Sequence, residues 1–360
     1  MEHRTQGGTA APRMGRRSVL HAGMAAAAVA CAGPLAHAQG AAAKLTISYP
    51  TRSGASWPLW LAKHAGLYEK HGFDAKLDFG VHPAGIAALV SGQAQMINYG
   101  LEQIIAAASR DPSLVMMGSS LNKGNFSLVA HSSVSKVEDL KGKRIGVGRL
   151  GDTLYVYTLA LLKKYGMGPR DVQWVSTGTD ASARANMLTG GQLDAALMVA
   201  PSYFRLEPMG YRTLDTLANH ADIFVSTAYV FKKSWVKDNP DAPTRLIMAH
   251  AEAIKRFYDD KAFAVEAYRA FDPQPQATVE RLYDTYAAKN ILDRVPLLQK
   301  AAVESAVERV QTDNAAVKDV NVSQIVDMGP VRKLIADGYF RKLFGAGVAQ
   351  EEERKLAASF

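Results

Sequence analysis

Apolar and polar positions along this chain switch repeatedly between a period of two and a period near three and a half. Residues 45–50 (LTISYP) read as a strand. From Trp57 to Lys70 the apolar positions Leu59, Leu61, Ala62, Ala65, Leu67 and Tyr68 recur at helical spacing, and Gly72 ends the run. Residues 75–81 alternate as a strand, and a helix is expected over Ala84–Ser91, closed by Gly92. Strand, helix and strand follow at Gln95–Tyr99, Glu102–Ser109 and Leu114–Gly118. The alternation pauses over 126–135 and resumes with strands at Arg144–Gly148, Val172–Thr177 and Ala195–Val199. Helices are expected between and after them, at Thr153–Tyr165, Ala181–Leu188 and around Ser202–Glu207. Residues 225–233 are rich in strand formers, and from Asp241 onward the pattern is almost entirely helical, with caps at Asp241, Asp272 and Ser323. Strands alternating with helices of about ten residues imply βαβ units and mostly parallel sheets. An α/β chain of two lobes with a helical C-terminal region accounts for this order.

The N-terminus changes the picture most. Arg16-Arg17 precede an uncharged, alanine-rich stretch from Val19 to Ala36 that ends at Ala36-His37-Ala38, a small-x-small site of the kind signal peptidase cleaves. Paired arginines before a weakly apolar stretch resemble a twin-arginine export signal, although Gly15, Val19 and His21 depart from its preferred residues. A transmembrane anchor is the competing reading, but Gly23, Gly33 and Pro34 interrupt a stretch already near the minimum spanning length. Lipidation at Cys31 is a minority alternative, since Ala28 replaces the usual leucine. Cys31 is the chain's single cysteine. Cleavage after Ala38 leaves no thiol for a disulfide, a metal or a nucleophile. Residues 1–38 carry four Arg and one Glu, so +5 of the formal +8 stays on the remainder. That charge is evenly spread, which argues against a nucleic-acid partner.

Five segments, in this order, resemble the nitrate/sulfonate/taurine-type periplasmic binding proteins of ABC importers, whose fold is shared with the thiamine-pyrimidine precursor proteins. They are LAKHAGLYEKHGFDAKL (61–77), PAGIAALVSGQAQMINYG (83–100), VEDLKGKRIGVGRLGDT (137–153), MLTGGQLDAALMVAPSY (187–203) and GYRTL (210–214). The resemblance implies a type II periplasmic-binding-protein fold whose two lobes close on a ligand. On that pattern lobe 1 is 44–132 with 230–345, lobe 2 is 137–224, the crossovers lie near 132–137 and 224–230, and 346–360 is a tail. It further implies a monomer that takes a small-molecule ligand, docks on a membrane permease and uses no cofactor.

Ligands of open α/β sheets bind beyond the carboxyl ends of the strands, where helix N-termini offer free N–H groups and partial positive charge. The strand-to-helix loops therefore supply the candidates. Ser53 and Gly54 sit before a helix that begins at Trp57, whose indole either walls the ligand or is buried. His82 lies in the next loop, and Tyr99 ends its strand. Arg149 could meet an anion bidentately, whereas Asp152 or Thr153 caps the following helix. Asp180 is expected to pair with Arg184 at i,i+4, and Tyr203 closes an aromatic wall. Asn122, Asn125 and Thr227 are weaker candidates near the crossovers.

Nothing in the pattern organises catalysis: there is no G-x-S-x-G, no H-E-x-x-H and no spaced His/carboxylate cluster. Gly146-Val147-Gly148-Arg149-Leu150-Gly151 does spell a dinucleotide fingerprint between a strand and a helix. Its position in the middle of an exported chain favours a plain turn or a ligand loop instead. Two other functions stand beside import of an organic anion. One is a sensor presenting its solute to a membrane receptor; the other is a synthase of the thiamine-pyrimidine type.

Overall fold

The computed structural model describes residues 42–80, 83–178, 180–220, 224–313, 317 and 320–360. Among the described residues ten strands form two five-stranded sheets. Sheet A contains β1 (Ala43–Tyr49), β2 (Phe73–Phe79), β3 (Met96–Tyr99), β4 (Leu114–Met116) and β10 (Ala228–Lys232) in the order β2-β1-β3-β10-β4. Sheet B contains β5 (Phe126–Ala130), β6 (Arg144–Val147), β7 (Gln173–Ser176), β8 (Ala195–Val199) and β9 (Arg212–Thr216) in the order β7-β6-β8-β5-β9. The two orders are equivalent. Each sheet has three parallel strands, then one strand that runs antiparallel to both its neighbours, β10 in A and β5 in B.

Burial follows position in the sheet. β3 is buried at every residue and β10 at all but its last, as expected for strands covered on both faces, whereas the edge strand β2 begins with alternation, Phe73 and Ala75 in and Asp74 and Lys76 out. The helices are α1 (Trp57–His64), α2 (Leu67–Lys70), α3 (Ala84–Ser91), α4 (Leu101–Ala108), α5 (Thr153–Lys164), α6 (Ala181–Thr189), α7 (Lys233–Asp238) and α8 (Ala242–Asp259). They continue with α9 (Lys261–Phe271), α10 (Gln276–Ala288), α11 (Lys300–Asp313), α12 (Val322–Ile325), α13 (Gly329–Ala336), α14 (Tyr339–Phe344) and α15 (Ala349–Ala358). The single helix expected over 57–70 breaks after Ala65, because Gly66 adopts φ +65° and starts α2 in a new direction.

The first crossover departs from the expectation. β5 lies between β8 and β9, so the chain leaves sheet A after β4 and has entered sheet B by Phe126, upstream of 132–137. β5 escaped notice because an antiparallel strand inserted between two others needs no flanking helix, and so breaks no strand–helix alternation. The return runs from Thr216 to Ala228. The C-terminus is a second correction. Residues 346–360 are not a loose tail: α15 buries Glu352 and Lys355, and the Lys355 ammonium lies 3.0 Å from Asp293 and donates to the Val295 carbonyl at 2.7 Å. Charged residues at the buried positions concealed this helix's packing face.

These connections position the site. The first crossover leaves the carboxyl end of β4 and delivers the chain to the start of β5, which pairs with the end of β8 (Phe126 opposite Val199). The return leaves the end of β9 and reaches the start of β10, which pairs with the end of β3 (Ala228 opposite Tyr99). Both sheets therefore turn the carboxyl ends of their parallel strands toward the crossovers.

Candidate functional site

On the sheet A side, the turn after β1 is built by its own hydroxyls. Ser53 Oγ accepts from the Ala55 N–H at 3.4 Å and lies 3.1 Å from Thr51 Oγ1, while Ser56 donates to the Thr51 carbonyl at 2.6 Å. Gly54 is required by close approach, since a Cβ there would fall 2.3 Å from the Tyr286 ring and hydroxyl. Beneath this turn Asn98, on β3, donates its Nδ2 to the Ala55 carbonyl at 3.5 Å.

Two expected contact residues point elsewhere. Trp57 is fully buried, donates its indole N–H to the Ala264 carbonyl at 2.9 Å, and packs edge-on against Phe257, Tyr268, Tyr283 and Tyr286 at centroid distances of 4.9–6.3 Å. It anchors the turn from behind and walls no ligand. Tyr99 is also fully buried; its hydroxyl donates to the Gly80 carbonyl and lies 3.1 Å from Ser48 Oγ. A Cβ on Gly85 would sit 1.7 Å from that hydroxyl, so this glycine lets α3 close over Tyr99. Burial pushes the Tyr99 phenol above its ordinary pKa. His82 lies outside the described residues.

On the sheet B side, the dinucleotide-like loop resolves into separate structural duties. A Cβ on Gly146 would lie 2.5 Å from Leu193, one on Gly148 would lie 1.9 Å from Asp152 Oδ2, and Gly151 holds φ +79°. The Asp152 carboxylate accepts from the Tyr155 N–H at 2.9 Å and the Arg149 N–H at 3.1 Å. An acid therefore already occupies the helix N-terminus where a dinucleotide's phosphates would rest. Arg149 is exposed, and its guanidinium has no hydrogen bond or ion pair among the described residues. Thr153 opens α5 and is half-buried.

Asp180 does not pair with Arg184. Its carboxylate caps α6 instead, accepting from the Ala183 N–H at 2.6 Å. Arg184 is 2% exposed, and its Nη1 donates to the Gly178 carbonyl at 3.1 Å and to Thr177 Oγ1 at 3.4 Å. Its Nε–H is buried with no partner among the described residues. Burial lowers the guanidinium's pKa, and the fields of Asp152 and Asp180 oppose that shift. The Gly178 N–H donates to the Gly148 carbonyl at 3.0 Å, which ties the loops after β6 and β7 together around this arginine.

Tyr203 is buried, receives a hydrogen bond from Ser127 Oγ at 3.4 Å and stands edge-on to Phe204. It lines a cavity of about 300 Å³ with Asn125, Asp215, Thr285 and Tyr286, drawn from both sheets' elements. Among the described candidates Tyr203 and Asn125 reach this cavity. A second cavity, of about 460 Å³, opens beside the first crossover between Asn122, Lys123, Arg294 and Lys355.

Among the described residues, two polar clusters help join the halves. Tyr157 on α5 donates to Glu102 on α4 at 2.7 Å, and the same carboxylate receives Arg309 Nη2 at 2.7 Å. Arg281 on α10 pairs with Glu207 and lies 4.0 Å over the Phe204 ring. Neither was foreseen from sequence. Arg184 carried a usable signal, a charge on the Arg184/Ala185/Leu188 stripe that α6 buries, and so did Asn98, an amide inside an otherwise apolar strand.

Two matched sheets with their parallel strands' carboxyl ends turned to paired crossovers define the two-lobed periplasmic-binding-protein fold. Residues 55–262 match the family described as NMT1/THI5 like, and the chain belongs to that family. A putative binding protein of Brucella abortus is 30% identical over 224 residues, spanning 58% of this chain and 67% of that protein. The taurine-binding periplasmic protein of Escherichia coli is 32% identical over 182 residues, 49% of this chain and 55% of that one. A putative sulfonate-binding protein of Methylobacillus flagellatus superposes with a TM-score of 0.69 at 17% identity, covering 83% of this chain and 96% of that structure. Enzymes occur among the relatives too: a pyrimidine phosphate synthase of Schizosaccharomyces pombe is 28% identical over 144 residues, 39% of this chain and 40% of that one.

Proposed function

We propose that the chain is the extracytoplasmic substrate-binding component of an ABC importer, taking a small organic anion of sulfonate, taurine or carboxylate type between two closing lobes. The observation that carries this reading is the meeting of two equivalent sheets at their carboxyl edges. A ligand held there touches both halves only when they close, so binding shifts the population toward the closed form, which docks on the permease. The sulfonate- and taurine-binding relatives support the ligand class. Lobe 1 comprises sheet A with the C-terminal helices, and lobe 2 comprises sheet B.

Ser53, Gly54, Arg149, Asp152, Thr153, Asp180 and Tyr203 shape the cleft, with Trp57 and Tyr99 supporting it from behind. The role is binding: Asp152 and Asp180 are engaged as helix caps, and the relatives named as binding proteins support this reading. The pair Arg16-Arg17 and the Ala36-His37-Ala38 site support export to the periplasm with loss of the leader. The mature protein works as a monomer. Calorimetric titration of the purified protein with alkanesulfonates, taurine and short carboxylates tests the reading. Micromolar binding of at least one is expected, with Arg149→Ala weakening it, and no binding across the panel overturns it.

A further inference from the structure

The cavity of about 460 Å³ beside the first crossover lies in the size range of small-molecule sites, about 300–1,000 Å³. It shares no lining residue with the cavity at Tyr203, and the end of α10 partitions the two. There Asn290 adopts φ +46°; Lys289 and Ile291 line the cavity at Tyr203, while Asn290 and Leu292 line this one. Its other walls are Asn122 and Lys123 of the crossover and residues of α15, and its lining is polar except for Leu292 and Ala358. Four cations, Lys123, Arg294, Arg354 and Lys355, stand against two carboxylates, Asp293 and Glu351. Both acids are committed to Lys355, at 3.0 and 3.4 Å, and the second oxygen of Asp293 accepts the Asn122 N–H at 3.2 Å. Lys123, Arg294 and Arg354 have no ion pair among the described residues. Lys123 donates to the Lys289 carbonyl at 2.8 Å; Arg294 donates to Asn290 Oδ1 at 3.4 Å and lies 4.2 Å over the Tyr258 ring. Neutral partners therefore hold both cations in place with donors to spare. Burial lowers the Lys123 ammonium's pKa; Lys355 and Arg354 add to that shift, and Asp293 and Glu351 oppose it. An anion placed among these cations relieves the cost of keeping them charged together.

We propose that this cavity is an accessory anion site, separate from the cleft, which takes a small molecule bearing two or more acid groups, of diphosphate or tricarboxylate type. Lys123 and Arg294 are its positioned donors, and Arg354, exposed on α15, supplies the third charge. Valence is the selective feature. Four cations and two carboxylates give the lining a net +2, which a dianion or trianion matches and a monoanion does not. The site is independent of the solute taken by the cleft, so it stands or falls separately from the importer reading.

The test is calorimetric titration of the purified protein at pH 7 with pyrophosphate and with citrate, each against acetate at matched ionic strength. At least one multivalent probe is expected to bind at one equivalent per chain, about tenfold or more tightly than acetate. Lys123→Gln is expected to weaken that binding about tenfold, and Arg354→Gln about threefold, since its exposed charge is better screened. Both substitutions leave the buried pair of Lys355 and Asp293 intact, and Arg354→Gln alters an exposed side chain, so its fold is secure. Lys237→Gln, on an exposed lysine of α7 outside the cavity, and Arg149→Ala, at the cleft, are expected to leave the affinity unchanged. No saturable binding of either probe, acetate binding as tightly, or full affinity in both Lys123→Gln and Arg354→Gln overturns the inference. An equal loss in Lys237→Gln shows general charge attraction and overturns it as well. Loss of binding in Arg149→Ala places the anion in the cleft, which overturns the accessory site and leaves the importer reading standing.

Discussion

Glu102 holds the two halves together through a junction whose energetics can be worked from its geometry. Its carboxylate takes Nη2 and Nε of Arg309 at 2.7 and 3.1 Å on Oε1, and the Tyr157 hydroxyl at 2.7 Å on Oε2. The pair's side chains are 8% and 12% exposed, so little water screens them. Arg309 also faces the Tyr157 and Phe224 rings at 5.5 and 5.3 Å. Arg309→Met removes the cation and leaves a nearly buried carboxylate with one neutral donor. Breaking a buried pair costs about 3–5 kcal/mol, and the residual exposure here brings the expected loss to roughly 2–4 kcal/mol. Glu102→Gln added to Arg309→Met removes the stranded charge and keeps an acceptor for Tyr157. The double variant is therefore expected to be more stable than Arg309→Met alone by about 1 kcal/mol or more. Urea unfolding of the four proteins at pH 7 closes the cycle. Single-variant losses that simply add, within about 0.5 kcal/mol, would refute the claim that the two side chains act as a pair.

Acid sensitivity follows from His250, which is 1% exposed, lies 2.9 Å from the Tyr68 hydroxyl through Nε2, and is pulled down to about pKa 3 by burial and by His71. An unfolded histidine titrates near 6.5, so between 6.5 and 3 the unfolded state holds the extra proton, and stability must fall as pH drops through that window by up to about 1.4 kcal/mol per unit. His250→Gln keeps a partner for Tyr68 and should flatten the decline between pH 6.5 and 5; an unaltered slope in urea titrations would count against this assignment. Gly148→Ala places a Cβ 1.9 Å from Asp152 Oδ2 and is expected to dislodge the α5 cap, at about 1 kcal/mol. In an Asp152→Ala background that cost should largely vanish, and an equal loss in both backgrounds would exclude the cap as its cause.

The contrast between what was legible and what was not has a physical basis. Strand–helix alternation exposes βαβ units because burying one face of a helix and both faces of a parallel strand leaves distinct periodicities. It located the loops at the carboxyl edges correctly, since those loops are simply the joints of the pattern. β5 was missed because a strand inserted antiparallel adds no joint, and α15 because its buried positions hold Glu352 and Lys355. Within the loops, polar and aromatic side chains at strand ends have a structural duty as well: they finish the backbone. Asp152 and Asp180 satisfy free N–H groups, Ser53 builds its turn, Tyr99 holds the Gly80 carbonyl, and Trp57 secures α1 against α9 through Ala264. A different signal is a polar residue where the pattern calls for an apolar one, such as Asn98 within β3 or Arg184 on the buried stripe of α6. Both keep a buried polar atom without a partner among the described residues, whereas the loop residues that looked chemically conspicuous are mostly occupied. Arg149, exposed at the sheet B edge, is the exception.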